Sequence, residues 1–314
     1  MLKTGFVTDS RYLDHDTGQG HPERADRLRA CLTALEQVDL ELIPIRPQLA
    51  TIEQLRYAHT IGHIDRVRQH CQQQIPLEYD TTVIQASYEA ALLATGAVIA
   101  VAEAVISSQI DNGFALVRPP GHHATPDRAM GFCLFNNVAI TARHLQRVHG
   151  LERIAIIDWD VHHGNGTQDI FYADPSVLFF SIHQSPLYPG TGLAKETGTG
   201  EGAGTTLNCP MPPYSGVADY VQRFREQLQP RVVEFNPDCI FISAGFDAHQ
   251  RDPLSQMNMT SEGFADLTEI VQEMADTVCQ GRVVSLLEGG YDLEGLSTSV
   301  LAHLTRLSNS DDQI

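Results

Sequence analysis

The chain of 314 residues has no CxxC pair, and its six cysteines, Cys31, Cys71, Cys133, Cys209, Cys239 and Cys279, are scattered without close pairing. Such spacing argues against a disulfide framework and predicts reduced, mostly buried thiols, as in a cytoplasmic protein. Basic charge is scarce too: 21 Lys+Arg against 39 Asp+Glu leave a net charge of −18. That excludes a large nucleic-acid footprint, which needs a basic face to displace counterions, and argues against an anionic membrane surface. The start, MLKTGFVTDS, has no apolar core of a secretory signal, so none is expected there. Long apolar runs are almost missing. The one candidate, Ala90 to Ile106, is interrupted by Thr95, Gly96 and Glu103 and reads as a core helix rather than a membrane span. No internal repeat, charge block or long linker divides the chain. A single domain over residues 1–307 with an acidic, frayed tail at 308–314 is therefore expected.

What is present is an alternation. Apolar, β-rich runs recur as GFVTD, ELIPI, GFALV, RIAIID, VLFFSIH, DCIFISA and RVVSLLE, and segments of helical period lie between most of them. Among these are Ala25 to Val38, Asn137 to His149 ahead of Gly150, Val217 to Leu228 and Phe264 to Val278, with a capping box at Thr51-x-x-Gln54. Continuous rather than alternating apolar runs mean strands buried on both faces. The pattern predicts an α/β fold with a predominantly parallel central sheet and helices on both sides. The stretch from Gln184 to Pro213, rich in glycine, reads as a long functional loop.

In such a sheet, ligands bind beyond the carboxyl ends of the strands, and the unusual polar residues fall there. GFALV is followed by RPPGHH, RIAII by DWDVHHGNGTQ, DCIFI by SAGFDAH, and RVVSLL by EGGYD. Asp160 and His162, two apart after a strand, would point the same way and could share a metal ion, although D-x-H alone is equally a surface ion pair. Asp247 is the best third ligand, with a structural aspartate as the competing reading. Three protein ligands and an open position suit a catalytic metal. The tandem pair His122-His123 could supply two ligands, or a neutral base beside a protonated partner, with Asp158 orienting one ring. Tyr291 follows two glycines that let the chain bend toward a ligand, so its phenol could reach a developing oxyanion.

Taken in order, HPERADR, RPPGHH, GFCLFNN, IDWDVHHGNGTQ, YPGTG, SAGFDAH and EGGYD resemble the zinc-dependent deacetylases. That superfamily joins histone deacetylases, acetylpolyamine amidohydrolases and acetoin-utilisation proteins. The resemblance runs over nearly the whole chain and implies the arginase/deacetylase fold. It further implies that Asp160, His162 and Asp247 bind one Zn2+, with Fe2+ as the alternative, and that His123 is the base and His122 its electrostatic or acid partner. Tyr291 would polarise the carbonyl and Asp158 would bond His122. Asn165 stands where some members carry an aspartate behind the base, a class II-like pattern that should make His123 less basic. Phe132 and Tyr188 resemble tunnel walls, the Gly131 carbonyl an acceptor for the amide N–H, and Asp80 an anchor for the substrate backbone. A structural K+ would fall on Asp158, Asp160 and His162 with the backbone carbonyls of Ser181 and Ile182.

The resemblance makes the substrate an acetylated lysine in a protein or peptide, an acetylated polyamine, or another small acylamide. Some polyamine-preferring relatives carry a glutamate seven residues after the last ligand aspartate, and here that position is Leu254. A leucine cannot pair with a secondary ammonium, which places acetyl-lysine first. A two-metal hydrolase of arginase type would need further ligand aspartates, whereas Asp247 is followed by Ala248-His249. An inactive acetyl-lysine binding module is the alternative from another class. No nucleic acid or membrane partner is expected, and an oligomer is compatible with the sequence.

Overall fold

The structure of the protein is a computed structural model that describes residues 2–308. Eight strands form one sheet: β1 (Thr4–Val7), β2 (Leu42–Pro44), β3 (Asn112–Ala115), β4 (Ile154–Asp158), β5 (Val177–Gln184), β6 (Thr206–Met211), β7 (Cys239–Ala244) and β8 (Val283–Leu287). Their order is β2-β1-β3-β8-β7-β4-β5-β6, and every adjacent pair is parallel. The helices are α1 (Asp26–Leu35), α2 (Ile52–Leu55), α3 (Ile61–Gln73), α4 (Gln85–Ile106), α5 (Asn137–His149), α6 (Asn165–Phe171), α7 (Val217–Arg223), α8 (Gln229–Phe235), α9 (Ser261–Val278) and α10 (Leu293–Leu307). A π-helical turn at Phe224–Leu228 joins α7 to α8. Helices α3, α4 and α5 pack together, and α1, α9 and α10 form a second group.

The seven apolar runs are all strands, and β4, β5, β7 and β8 are buried along their whole length. Helix α4 begins at Gln85, earlier than the apolar run suggests, and its 22 residues would be long enough to cross a bilayer. Instead, 72% of its most apolar window is buried inside the protein, against β1, β3 and β8. The capping box at Thr51 is present, and α5 ends at Gly150 in the left-handed conformation.

One expectation needs correction, and some features were not anticipated. The stretch from Gln184 to Pro213 is not one loop, because it contains β6. Asn208 and Pro210 disguise that strand, yet it pairs only with β5, and an edge strand tolerates a missing N–H donor. Helices α3, α6, α8 and α10 were not anticipated, although the buried Ile64, Val67 and Cys71 of α3 keep helical spacing. The packed region also reaches one residue beyond Leu307: Ser308 is buried and its N–H donates to the Leu304 carbonyl at 3.0 Å. The rest of the expected tail, residues 309–314, lies outside the described residues.

Candidate active site

The strands β3, β8, β7 and β4 are consecutive neighbours at the centre of the sheet. The segments RPPGHH, EGGYD, SAGFDAH and DWDVHH that follow them are therefore brought to one rim. The ligand-type atoms of Asp160, His162 and Asp247 lie within 4.8 Å of one another. The way they converge differs from the expected pleat. Strand β4 ends at Asp158, and the following loop turns twice on its own carboxylates: Asp160 N–H donates to Asp158 Oδ1 at 3.1 Å and His162 N–H to Asp160 Oδ1 at 2.9 Å. These are Asx turns, in which a short carboxylate bonds the amide two residues on. Asp247 Oδ1 accepts the Val161 N–H at 2.8 Å and so locks the second segment to the first.

This trio fits a divalent cation. His162 Nδ1 is 3.1 Å from both Asp160 Oδ1 and Asp247 Oδ2. Both carboxylates are fully buried, and among the described residues their ion-pair partners are histidines, never lysine or arginine. Burial and the charge of Asp160 raise the Asp247 pKa. Burial would lower His162, yet its bonds to the two carboxylates lift it to about 10. Two buried carboxylates facing one imidazole form a negative hole that a cation relieves, and the nitrogen and oxygen donors suit zinc.

The two tandem histidines have opposite surroundings. His122 Nδ1 bonds Asp158 Oδ2 at 3.0 Å, and its Nε2 lies 3.8 Å from Asp160 Oδ2. Burial opposes a charge there, but the two aspartates outweigh it and hold the ring well above its ordinary pKa. His123 Nδ1 instead meets Asn165 Oδ1 at 2.8 Å. Burial, and then the neighbouring His122 and His162, push His123 well below the ordinary value. The result is a cationic imidazole whose ring centroid is 4.0 Å from that of a neutral one. Gly131 is indispensable to this packing. It sits at φ +55°, and a Cβ there would lie 2.4 Å from the His123 ring.

A cavity of about 330 Å³ opens onto this group, and His123, His162, Tyr291, Gly131, Phe132, Tyr188, Leu254 and Asp80 all line it. Every proposed substrate contact therefore faces one space. Tyr79 and Leu187 join them, unanticipated because neither carries a recognisable signal in the sequence. The Phe132 and Tyr291 rings meet edge to face at 5.8 Å, as do His123 and Tyr188 at 5.2 Å. Ser181, on β5, pairs in register with Asp158, and Ile182 follows it. The residues expected to hold a monovalent cation thus come from β4, the loop after it and the adjacent β5.

Several supporting residues carried no assigned role in the sequence. Glu288 Oε2 accepts the N–H groups of Gly121 at 2.6 Å and His122 at 3.1 Å and so sets the tandem histidine turn. Burial pushes its pKa up to about 7, against the pull of His122. Arg27 donates to the carbonyls of Glu288 and Gly290, each at 2.6 Å, and its guanidinium lies 4.9 Å from the Tyr291 ring centre. Glu23 pairs with Arg27 at 3.1 Å and chelates Arg118, all three fully buried. Burial, with the negative charge of Asp247, keeps the Tyr291 phenol protonated, well above the usual tyrosine range.

Residues 21–307 match the family model of the histone deacetylase domain. The chain belongs to this family. It is 42% identical over 298 residues to a probable deacetylase of Archaeoglobus fulgidus, covering 94% of this chain and 83% of the relative. It is also 42% identical over 293 residues to the polyamine deacetylase HDAC10 of Homo sapiens, where the match covers 88% of this chain and 43% of that one. Among solved structures, the crystal structure of the HDA15 HD domain superimposes with a TM-score of 0.93 at 38% identity, over 98% of this chain and 88% of that one. The resemblance read from the motifs and the α/β fold it implied both hold. The protein is thus a deacetylase-type hydrolase by family, with relatives of both histone and polyamine name.

Proposed function

We propose that this protein hydrolyses the acetamide of acetyl-lysine in proteins or peptides and depends on one zinc ion held by Asp160, His162 and Asp247. The observation that carries this reading is the geometry at the end of the cavity: His123 on Asn165 lies 4.0 Å from His122 on Asp158, beside the Asp160, His162 and Asp247 group, with Tyr291 lining the same space. Asp160, His162 and Asp247 would hold the ion, which when bound would supply Lewis-acid polarisation of the carbonyl and lower the pKa of a water molecule. With Asn165 on its Nδ1, His123 presents Nε2 as the acceptor for the proton of the attacking water. Tyr291 donates its O–H to the carbonyl oxygen as charge builds there. His122, held toward its cationic form by Asp158 and Asp160, would offset the negative charge of the tetrahedral adduct that gathers on the carbonyl oxygen. The proton taken up by the histidine pair then passes to the leaving nitrogen, the C–N bond breaks, and acetate and a free amine depart.

The walls support a linear acylated amine. Phe132 and Tyr188 would hold its methylenes, the Gly131 carbonyl would accept its amide N–H, and Asp80 at the rim would hold the substrate backbone. Leu254 in the wall gives a secondary ammonium no partner, which favours acetyl-lysine over acetylpolyamine. The similarity to a polyamine deacetylase keeps the small amine as the second reading. Ser181 beside Asp158 supports a structural K+ in the adjoining loop, and six unpaired, buried cysteines support a reducing, cytoplasmic setting. A side-by-side comparison of kcat/KM on acetyl-lysine peptides, acetylspermidine and acetylputrescine tests the order. A clear preference for either polyamine reverses it.

A further inference from the structure

We propose that Asp252 is the positioning residue for Tyr291. Its carboxylate ties the backbone carrying the phenol to the cavity wall that carries Leu254. The inference rests on the oxyanion role given to Tyr291 above.

The segment that presents Tyr291 is intrinsically soft, because Gly289 and Gly290 precede it and Gly290 sits at φ +119°. Something outside the segment must fix it. On one side Arg27 holds the carbonyls of Glu288 and Gly290. On the other, Asp252 holds the amides: its Oδ2 accepts the Tyr291 N–H at 2.6 Å and the Asp292 N–H at 3.2 Å. A guanidinium on the carbonyls and carboxylate oxygens on the amides grip the same peptide run from opposite ends of its dipoles.

The other oxygen, Oδ1, accepts the Leu254 N–H at 2.9 Å. Asp252 is 7% exposed, and among the described residues its two oxygens accept from backbone amides. The adjacent Arg251 goes instead to Asp292 Oδ1 at 3.0 Å and Glu294 at 2.7 Å. Asp252 also shares a short loop with Asp247, whose backbone carbonyl accepts the Ser255 hydroxyl at 2.6 Å. One loop thus provides a metal-ligand candidate, a wall residue and the anchor of the phenol. The three amides use both carboxylate oxygens, so an asparagine can serve only one side.

The test is a double-mutant cycle on the full protein, using an acetyl-lysine peptide and recording kcat, KM and metal content for Asp252→Ala, Asp252→Asn, Tyr291→Phe and the Asp252→Ala/Tyr291→Phe double variant. Positioning predicts that Asp252→Ala lowers kcat about tenfold or more while KM stays within about threefold, and that Asp252→Asn recovers part of the loss. It also predicts that adding Asp252→Ala to Tyr291→Phe slows the enzyme by no more than about twofold, because the phenol through which Asp252 acts is gone. A general structural role would lower metal content and multiply with Tyr291→Phe. That outcome, or wild-type kcat in Asp252→Ala, overturns the proposal. Should the alanine variant not fold, wild-type kcat in Asp252→Asn, or a loss that multiplies with Tyr291→Phe, overturns it equally. If Tyr291→Phe itself turns over normally, the oxyanion role fails and the positioning role falls with it, an outcome distinct from a failure of Asp252 alone.

Discussion

Asn165 Oδ1 lies 2.8 Å from His123 Nδ1, while the Asn165 amide nitrogen faces the His123 carbonyl at 3.4 Å. With the amide so oriented, Oδ1 can only accept, so His123 carries its proton on Nδ1 and turns an unprotonated Nε2 toward the cavity. A neutral amide fixes the tautomer without adding charge. Replacing it by a carboxylate in Asn165→Asp would stabilise the imidazolium, and the acid limb of the kcat/KM profile should move to higher pH by about one unit. A pH–rate profile of the variant checks this, and an unmoved or downward-shifted limb removes His123 as the base.

Tyr291→Phe keeps the ring beneath Arg27 and removes only the donor, whereas His123→Ala removes the base together with its ring contacts to His122 and Tyr188. Each should lower kcat on the order of a hundredfold or more. Protein purified with normal metal content and near-normal turnover would show that the group in question has no part in the reaction.

The wall position Leu254 offers a change of preference. Leu254→Glu places a carboxylate in the cavity lining, within reach of a secondary ammonium. The ratio of kcat/KM for acetylspermidine over an acetyl-lysine peptide should rise about tenfold, the equivalent of about 1.4 kcal/mol for a charge-assisted contact. A ratio that stays put would mean that selection is exerted elsewhere in the channel.

Acid should weaken the fold through His303. Its ring is fully buried between Thr268 and Ser285, at 2.7 and 2.8 Å, and burial lowers its pKa from 6.5 to about 3. Because the folded value lies below the unfolded one, the unfolded chain binds the proton first as pH falls. The stability is complete above about 6.5 and is lost progressively from there toward about 3, on the order of 2 kcal/mol by pH 5. Urea titrations at pH 7 and pH 5 measure the loss, which should shrink by roughly that amount in His303→Gln. An unchanged pH dependence in the variant would refute it.

Much of this site could be read from the sequence, because strands buried on both faces leave short, continuous apolar runs, and the His, Asp and Tyr residues beyond them stand out against that background. What escaped is the set of groups that act at a distance along the chain. Arg27 looks like a polar residue of a surface helix, yet it shares the buried side of α1 with Leu28 and Cys31 and reaches the Gly290 carbonyl, 263 residues away. Asp252 sits on an irregular loop where no periodicity marks a buried carboxylate. The turn at Asp158 and Asp160 escaped for another reason. A spacing of two is read naturally as a pleat, whereas here the aspartates bond the amides ahead of them and end the strand. Strand β6 was hidden by Pro210, which its edge position tolerates.

Metal-dependent deacetylation at one site is tested by measuring metal content together with turnover of an acetyl-lysine peptide, before and after chelation. One divalent ion per chain is expected, with turnover abolished by the chelator and restored by a single equivalent of zinc. Turnover that persists in metal-free protein, or no turnover in protein carrying its full equivalent of zinc, would contradict it.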